Sequence, residues 1–78
     1  MSKLEAYRKI FKECFQFDGD VDKLEYRQIE EWDSVAHMQL MAELEEEFKI
    51  EMDIDDIIDF SSFEVGIDIL KKYNLVIE

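Results

Sequence analysis

The chain has 78 residues, of which 21 are acidic and 9 are basic, so its formal charge is −12 at pH 7. This charge repels nucleic-acid phosphates and anionic lipid, which argues against nucleic-acid and membrane partners and favours basic proteins. Because 47% of the residues are hydrophobic, there is enough apolar material for one small core, and we expect a single domain over residues 1–78.

The single cysteine and the short apolar runs indicate in which cellular compartment the protein works. Cys14 is the one cysteine and cannot form an internal disulfide, and no basic and apolar leader follows Met1. Apolar runs such as Leu75 to Ile77 are far shorter than the roughly 20 residues that a transmembrane helix needs. We therefore expect a cytoplasmic monomer that does not insert into membranes.

The first helix is expected to begin after Ser2, which has Glu5 in capping-box spacing, and to end near Gln16. Apolar residues recur along it at helical period and form one stripe: Leu4, Tyr7, Ile10, Phe11, Cys14 and Phe15. This stripe predicts an amphipathic helix that packs on a core.

A long polar connection follows, from the turn signal at residues 18–20 to Asp33. Connections of this length are uncommon in compact domains and are usually functional. We expect its apolar side chains to anchor it to the core: Val21, Leu24, Ile29 and Trp32.

The second helix is expected to begin at Asp33 or Ser34, both good N-cap residues, and to run to about Lys49. At about 100° per residue, its apolar side carries His37, Met38, Leu40, Met41, Leu44 and Phe48. The opposite side carries Ala36, Gln39, Glu43, Glu46 and Glu47. The helix is therefore amphipathic, with an acidic outer face.

Two further helices are predicted after an extended connector. A short helical turn around Asp55 to Asp59 is expected to carry Ile57 and Ile58 inward. The last helix has capping-box spacing at Ser61 and Glu64. One stripe of this helix carries Phe63, Gly66, Ile67, Leu70 and Tyr73, and Gly66 permits close helix contact. Asn74 is a suitable C-terminal stop. The sequence thus predicts an all-α four-helix bundle, three helices longer and one short, with a long loop between the first two.

The most informative stretch is Glu31 to Phe48, which reads EWDSVAHMQLMAELEEEF and places an Asp-Ser pair before an acidic amphipathic helix. It resembles the acyl carrier proteins, in which an Asp-Ser-Leu motif at the start of the second helix carries the phosphopantetheine serine. The Leu-Glu-Glu-Glu-Phe ending at residues 44–48 and the Ser-Ser-Phe at residues 61–63 extend the resemblance over essentially the whole chain. The chain departs from the common pattern at Val35, Ala36 and Gln39, which favours a specialised pathway over housekeeping fatty-acid synthesis.

The resemblance implies a function for this motif. Ser34 would carry a 4′-phosphopantetheine arm, taken from coenzyme A by a separate phosphopantetheinyl transferase, and Asp33 would lie near the metal ion of that transfer. The arm would hold acyl groups as thioesters, loaded by an acyl ligase or transferase and used by a downstream synthase or acyltransferase. No residue of the chain is expected to be catalytic or to hold a resident metal, so the protein would be a carrier and not an enzyme.

General chemistry supports this assignment. A serine at a helix N-terminus keeps its hydroxyl exposed and places an attached phosphate against the positive end of the helix dipole, although an unmodified N-cap is the simpler explanation of Ser34 alone. The resemblance to acyl carrier proteins further implies that basic partner enzymes dock on Val35, Glu45 and Glu46. A hydrophobic slot for the arm is expected between the helices, lined by Met38, Met41, Ile57, Phe60 and Ile67.

Two alternatives belong to other classes of protein: a small calcium-binding module and a serine hydrolase. Asp18, Asp20 and Asp22 alternate like the first ligands of an EF-hand, but Lys23 and Ile29 stand where glycine and a bidentate glutamate are needed. A hydrolase built on Asp33, Ser34 and His37 would place its base on the core side of the helix, and no Gly-rich oxyanion loop accompanies it.

Two alternatives remain closer to the main interpretation. An aminoacyl or peptidyl carrier shares the arm and the bundle and differs in its cargo. A small acidic helical adaptor would use the charged helix face alone and needs no special serine.

Overall fold

The computed structural model describes residues 2–78. They form four α-helices, α1 (Lys3–Phe15), α2 (Ser34–Phe48), α3 (Ile54–Asp59) and α4 (Phe63–Lys71), with a 3₁₀ turn at Val21–Lys23 between the first two. The predicted all-α fold with its long first connection is confirmed. Between residues 2 and 78, the β-type pairing is an isolated antiparallel bridge between Glu25 and Ser62. No helix in this range is both long and apolar enough to cross a membrane.

Side-chain caps explain where α1 and α2 begin. The Oγ of Ser2 accepts a hydrogen bond from the Glu5 N–H at 3.1 Å, as the capping-box spacing predicts. At α2 the cap is Asp33, whose Oδ1 accepts from the Ala36 N–H at 2.9 Å. The first residue inside α2 is therefore Ser34, and its hydroxyl is not needed to cap the helix.

The start of α4 differs from the sequence-based expectation. The cap is Ser62, whose Oγ accepts from the Val65 N–H at 3.0 Å, so the predicted capping box beginning at Ser61 is wrong. The reason is tertiary: the Ser61 carbonyl accepts from the Tyr26 N–H at 2.9 Å, which keeps Ser61 in an extended segment beside the long connection. The helix consequently starts one residue later.

The chain turns after α4 as its sequence suggests. Asn74 adopts a left-handed conformation with φ 64°, which asparagine tolerates better than most residues. The Leu75 N–H then donates to the Leu70 carbonyl at 3.2 Å and closes the helix end.

Aromatic side chains pack together at the centre of the core. Phe11 lies at its centre, with ring centroids 5.6 Å from Trp32 and 5.0 Å from Phe63. Trp32, Val21 and Leu24 of the long connection are buried, and Ile29 is half-buried against the core, so its apolar residues anchor this connection as predicted. Because these side chains come from three segments, the core fixes the long connection against α1 and α4.

Ion pairing also fastens the long connection. Asp22 receives two hydrogen bonds from the Arg8 guanidinium, at 2.9 Å from Nε and 2.8 Å from Nη2, and this contact holds the pKa of Asp22 below its usual value. The Oδ1 of Asp20 accepts from the Asp22 N–H at 3.0 Å. Two of the three acids that suggested an EF-hand are thus engaged, Asp22 by Arg8 of α1 and Asp20 by the Asp22 amide, and residues 2–78 contain no cluster of His, Cys, Asp and Glu arranged for a metal ion.

Two apolar side chains lie where the helical pattern does not place them. Met38 is 55% exposed, although the pattern puts it on the core side of α2, because it lies at the edge where α2 meets solvent. Ile58 is 71% exposed, so the expectation that it points inward is wrong. In α3 the buried residue is instead Asp56, which accepts hydrogen bonds from the Lys72 ammonium and the Tyr73 hydroxyl.

Candidate functional site

The N-terminus of α2 is the part of the molecule where a free hydroxyl meets free backbone amides. Ser34 is exposed, and the neighbouring Asp33 performs the capping. The first N–H groups of an α-helix have no carbonyl partner within the helix, and here Asp33 satisfies the amide of Ala36. The amides of Ser34 and Val35 remain at the positive end of the helix dipole, which suits a phosphate group on the adjacent hydroxyl.

A cavity of about 300 Å³ opens directly beside this serine. It lies between the long connection, α2 and α3, and its lining consists of Tyr26, Ser34, His37, Met38, Ile57, Ile58, Phe60 and Ser61. At about 30 Å³ for each water-sized group, the cavity accommodates on the order of ten non-hydrogen atoms. A flexible group attached at Ser34 could therefore place a short apolar end inside it.

One wall of the cavity is held by a hydrogen-bonded histidine. The Trp32 indole N–H donates to His37 Nδ1 at 3.0 Å, and His37 Nε2 lies 2.8 Å from the Ile57 carbonyl oxygen. Indole nitrogen is a donor only, so Nδ1 must be the acceptor and Nε2 must carry the hydrogen that it donates to Ile57. This neutral tautomer links the long connection, α2 and α3.

These bonds bear on the hydrolase alternative. Both ring nitrogens of His37 are engaged, one by Trp32 and one by Ile57, and neither is bonded to the Ser34 hydroxyl. A nucleophilic serine needs a base within hydrogen-bonding reach. His37 therefore does not activate Ser34, which argues against a hydrolase built on Asp33, Ser34 and His37.

The structure brings together only part of the slot that the sequence predicts. Met38, Ile57 and Phe60 meet in the cavity. Met41 is 1% exposed and belongs to the inner core. Ile67 lies in a different surface depression, which it shares with Leu4 and Ile77 among others.

The cavity also contains residues that sequence reasoning missed. Tyr26 and Ser61 come from connections, where no periodicity marks an inward direction, and they meet because the Tyr26 N–H bonds to the Ser61 carbonyl. The helical pattern places His37 on the apolar side of α2 but assigns it no role in the slot. The nearby Trp32 is the signal that could have indicated its role, since a buried indole N–H requires an acceptor.

The residues expected to dock partners lie in different environments. Val35 is 77% exposed, directly next to Ser34. Glu46 is exposed and lines a surface depression with Glu43 and Glu47. Glu45 is half-buried, and its Oε2 accepts from the Met52 N–H at 2.8 Å. Glu45 therefore holds the chain that leaves α2, in addition to any contact that it makes with a partner.

Cys14 is the other side chain with nucleophilic chemistry. It lies half-buried on α1, with Sγ 3.7 Å from the Ala36 carbonyl oxygen. Burial, followed by the charge of Glu43, raises the pKa of this thiol to about 11. Cys14 is thus a protonated thiol at neutral pH and serves as a small packing residue.

Comparison with known protein families identifies the same region. Residues 15–68 match the family model described as PP-binding, the phosphopantetheine attachment site. The match covers more than half of the chain and includes α2, α3 and every residue that lines the cavity. Neither the search of curated proteins nor that of solved structures found a match.

Proposed function

The chain belongs to the family of phosphopantetheine attachment domains, and we propose that it is an acyl carrier protein whose 4′-phosphopantetheine arm is bound to the Oγ of Ser34. Domains of this family carry the arm covalently, are in general non-catalytic carriers, and interact with phosphopantetheinyl transferases and synthases. The terminal thiol of the arm, when present, holds cargo as a thioester.

The observation that carries the proposal is that Asp33, and not Ser34, caps α2. Asp33 caps α2 and leaves the Ser34 hydroxyl exposed beside the helix amides and the cavity. The side chains of Ser2 and Ser62 are both occupied as helix caps. Ser61 also lines the cavity, but it lies outside α4, before the cap Ser62, and the amides of Phe63 and Val65 at that helix start are already bonded to Leu24 and Ser62.

Asp33 contributes to arm attachment in a second way. Its hydrogen bond to Ala36 uses Oδ1, so the exposed carboxylate still has Oδ2 to offer. We propose that this oxygen faces the metal ion of the transferase reaction, as the resemblance to acyl carrier proteins implies.

The lining of the cavity supports an acyl cargo over an aminoacyl cargo. No carboxylate within residues 2–78 is part of this lining, so no negative charge there would compensate the ammonium group of an amino acid. The volume of about 300 Å³ admits the end of a short acyl chain. We propose that such a chain enters between Met38, Ile57 and Phe60.

Partner recognition would use the exposed residues around this site. We propose that Val35 contacts partner enzymes directly and that Glu46 attracts their basic residues, while Glu45 acts mainly through its bond to Met52. These partners would be the transferase, an acyl-loading ligase or transferase, and a downstream synthase or acyltransferase. We further propose that residues 1–78 act as one monomeric domain in the cytoplasm, within a specialised pathway.

Intact mass spectrometry tests the proposal. The purified protein is incubated with coenzyme A, magnesium and a broad-specificity phosphopantetheinyl transferase, together with Ser34→Ala and the matched control Ser61→Ala. We expect wild type and Ser61→Ala to gain one phosphopantetheine and Ser34→Ala to gain none. If no variant gains mass while all remain folded, the acidic adaptor becomes the better description.

A further inference from the structure

Arg27 lies in the long connection, in a part of the chain that is otherwise acidic. From Leu24 to Phe48 the chain has eight acidic residues and one basic residue, which is Arg27. One of these acids, Asp33, directly precedes the proposed attachment serine. A phosphodiester on Ser34 adds a second negative charge next to this carboxylate, and a nearby cation would offset the repulsion between them.

Backbone hydrogen bonds fix Arg27 close to the start of α2. The Arg27 N–H donates to the Trp32 carbonyl oxygen at 3.2 Å, and Ser34 lies two residues beyond Trp32 in the chain. The preceding residue, Tyr26, donates its N–H to the Ser61 carbonyl at 2.9 Å and lines the cavity beside Ser34. The position of Arg27 is therefore set by the same contacts that build the site.

Arg27 also shares a surface depression with Asp33. This depression has a volume of about 320 Å³ and has no lining residue in common with the cavity beside Ser34. Because Asp33 and Ser34 are consecutive, the depression borders the attachment site. The arginine side chain is long and flexible, so its guanidinium can reach a phosphate on Ser34 from this position.

The guanidinium of Arg27 is available for a ligand. The chain has two arginines, and the other one, Arg8, is paired with Asp22 through two hydrogen bonds. Arg27 is exposed and forms no ion pair with a carboxylate of residues 2–78. Its backbone has φ 66°, a conformation that glycine or asparagine adopts more readily than arginine. Local folding thus gives no reason for an arginine here.

We propose that Arg27 is a positioning residue for the arm, and that its guanidinium pairs with the phosphodiester on the Oγ of Ser34. A guanidinium can donate two parallel hydrogen bonds to a phosphate, which fixes the direction of the contact as well as its distance. Together with the amides of Ser34 and Val35, Arg27 then holds the root of the arm beside the start of α2. This inference rests on the proposed function and names the residue that orients the arm.

Phosphorus NMR of the loaded protein observes this phosphate directly. Arg27→Gln removes the charge, and Arg27→Lys keeps the charge without the planar fork. Lys23→Gln is the matched control, because Lys23 is an exposed cation of the same connection but pairs with Glu64 at 3.4 Å. Because both positions are exposed, the variants should keep the fold, which circular dichroism verifies, and intact mass verifies that each one is loaded.

We expect the ³¹P resonance of the wild type to move toward that of a free phosphopantetheine diester in Arg27→Gln, to stay in place in Lys23→Gln, and to lie between in Arg27→Lys. An exposed charge pair changes an equilibrium by about 1.4- to 5-fold, so the population of arm phosphate in contact with the protein should fall by that factor in Arg27→Gln. The Nε–H resonance of Arg27 should shift when the arm is attached, and added salt should reduce this shift.

Three results would overturn the proposal. The ³¹P resonance could be the same in the wild type and Arg27→Gln. Inorganic phosphate, added to the unmodified protein at millimolar concentration, could shift the Nε–H resonance as much as the arm does, which would indicate general anion attraction. Arg27→Gln could slow arm transfer and leave the ³¹P resonance unchanged, which would assign Arg27 to contact with the transferase.

The two proposals fail in distinguishable ways. A wild-type protein that gains no mass removes the proposed function and this inference with it. A loaded protein whose ³¹P resonance does not respond to Arg27→Gln removes this inference alone.

Discussion

Replacing His37 with phenylalanine isolates the hydrogen bonds that tie the cavity wall together. Phenylalanine keeps a ring in contact with Trp32 and Tyr26, whose ring centroids lie 6.1 Å and 5.1 Å from that of His37. It removes both ring nitrogens. The Trp32 N–H, which is fully buried, then has no acceptor, and the Ile57 carbonyl loses its donor.

The expected cost follows from the burial of each group. A buried donor left without a partner costs about 1 to 3 kcal/mol, and loss of the second bond adds about 0.5 to 1.5 kcal/mol, since Ile57 is only half-buried. The sum is about 1.5 to 4.5 kcal/mol of unfolding free energy. At about 6 °C per kcal/mol for a chain of this length, this corresponds to a fall of about 9 to 27 °C in melting temperature.

Urea and thermal unfolding of three variants would measure these contributions. His37→Asn places an acceptor near the position of Nδ1, and His37→Gln places a donor near that of Nε2, so each restores one bond. We expect His37→Asn to be the more stable of the two, because it satisfies the buried Trp32 N–H. A loss below about 1 kcal/mol in His37→Phe, or equal losses in all three variants, would refute this account of the histidine.

Three further predictions concern other parts of the fold. In Gly66→Ala the added Cβ would collide with two buried aromatic side chains, so the unfolding free energy should fall by about 1 to 3 kcal/mol despite the better helix propensity of alanine. In Gly19→Ala the added Cβ would lie 2.9 Å from the ring of Phe17, but that ring is only half-buried and can move, so the loss should be smaller, below about 1 kcal/mol. Because the pKa of Cys14 is raised to about 11, iodoacetamide at pH 8 should label it on the order of 200-fold more slowly than a free cysteine; equal rates would contradict its burial. Hydrogen bonds from Lys72 and then Tyr73 lower the pKa of Asp56, so its contribution to stability is present above the unfolded pKa of about 3.9 and is lost as pH falls through the lower folded value. The difference in melting temperature between wild type and Asp56→Asn should therefore shrink below about pH 4, and a difference that is independent of pH would contradict this linkage.

The long helices could be predicted because their signals are local. The stripe from Tyr7 to Phe15 in α1 repeats at helical period, and Ser2 and Asp33 are side-chain caps within three residues of the amides that they satisfy. The motif at residues 33–34 also lies within one short stretch. Such features depend only on residues that are close in the sequence, so they can be predicted without knowing the rest of the fold.

The parts that sequence did not predict depend on contacts between distant residues. The cap of α4 is Ser62 and not the predicted Ser61, because the Ser61 carbonyl bonds to Tyr26 in the long connection. Ile58 points outward because Lys72 and Tyr73 hold Asp56 on the inner side of α3. The slot was predicted from residues that face the core, but periodicity does not divide that side into inner core and cavity. Met41 has the sequence position expected of a slot residue, but its side chain is buried in the inner core.

Fragmentation mass spectrometry of the protein after arm transfer tests the central claim most directly, because it locates the new phosphodiester on one residue. The account predicts that every modified fragment contains Ser34 and that fragments carrying only Ser61 and Ser62 keep their unmodified mass. Phosphopantetheine on Ser61 or Ser62, or a folded wild-type protein that gains no mass, would contradict it.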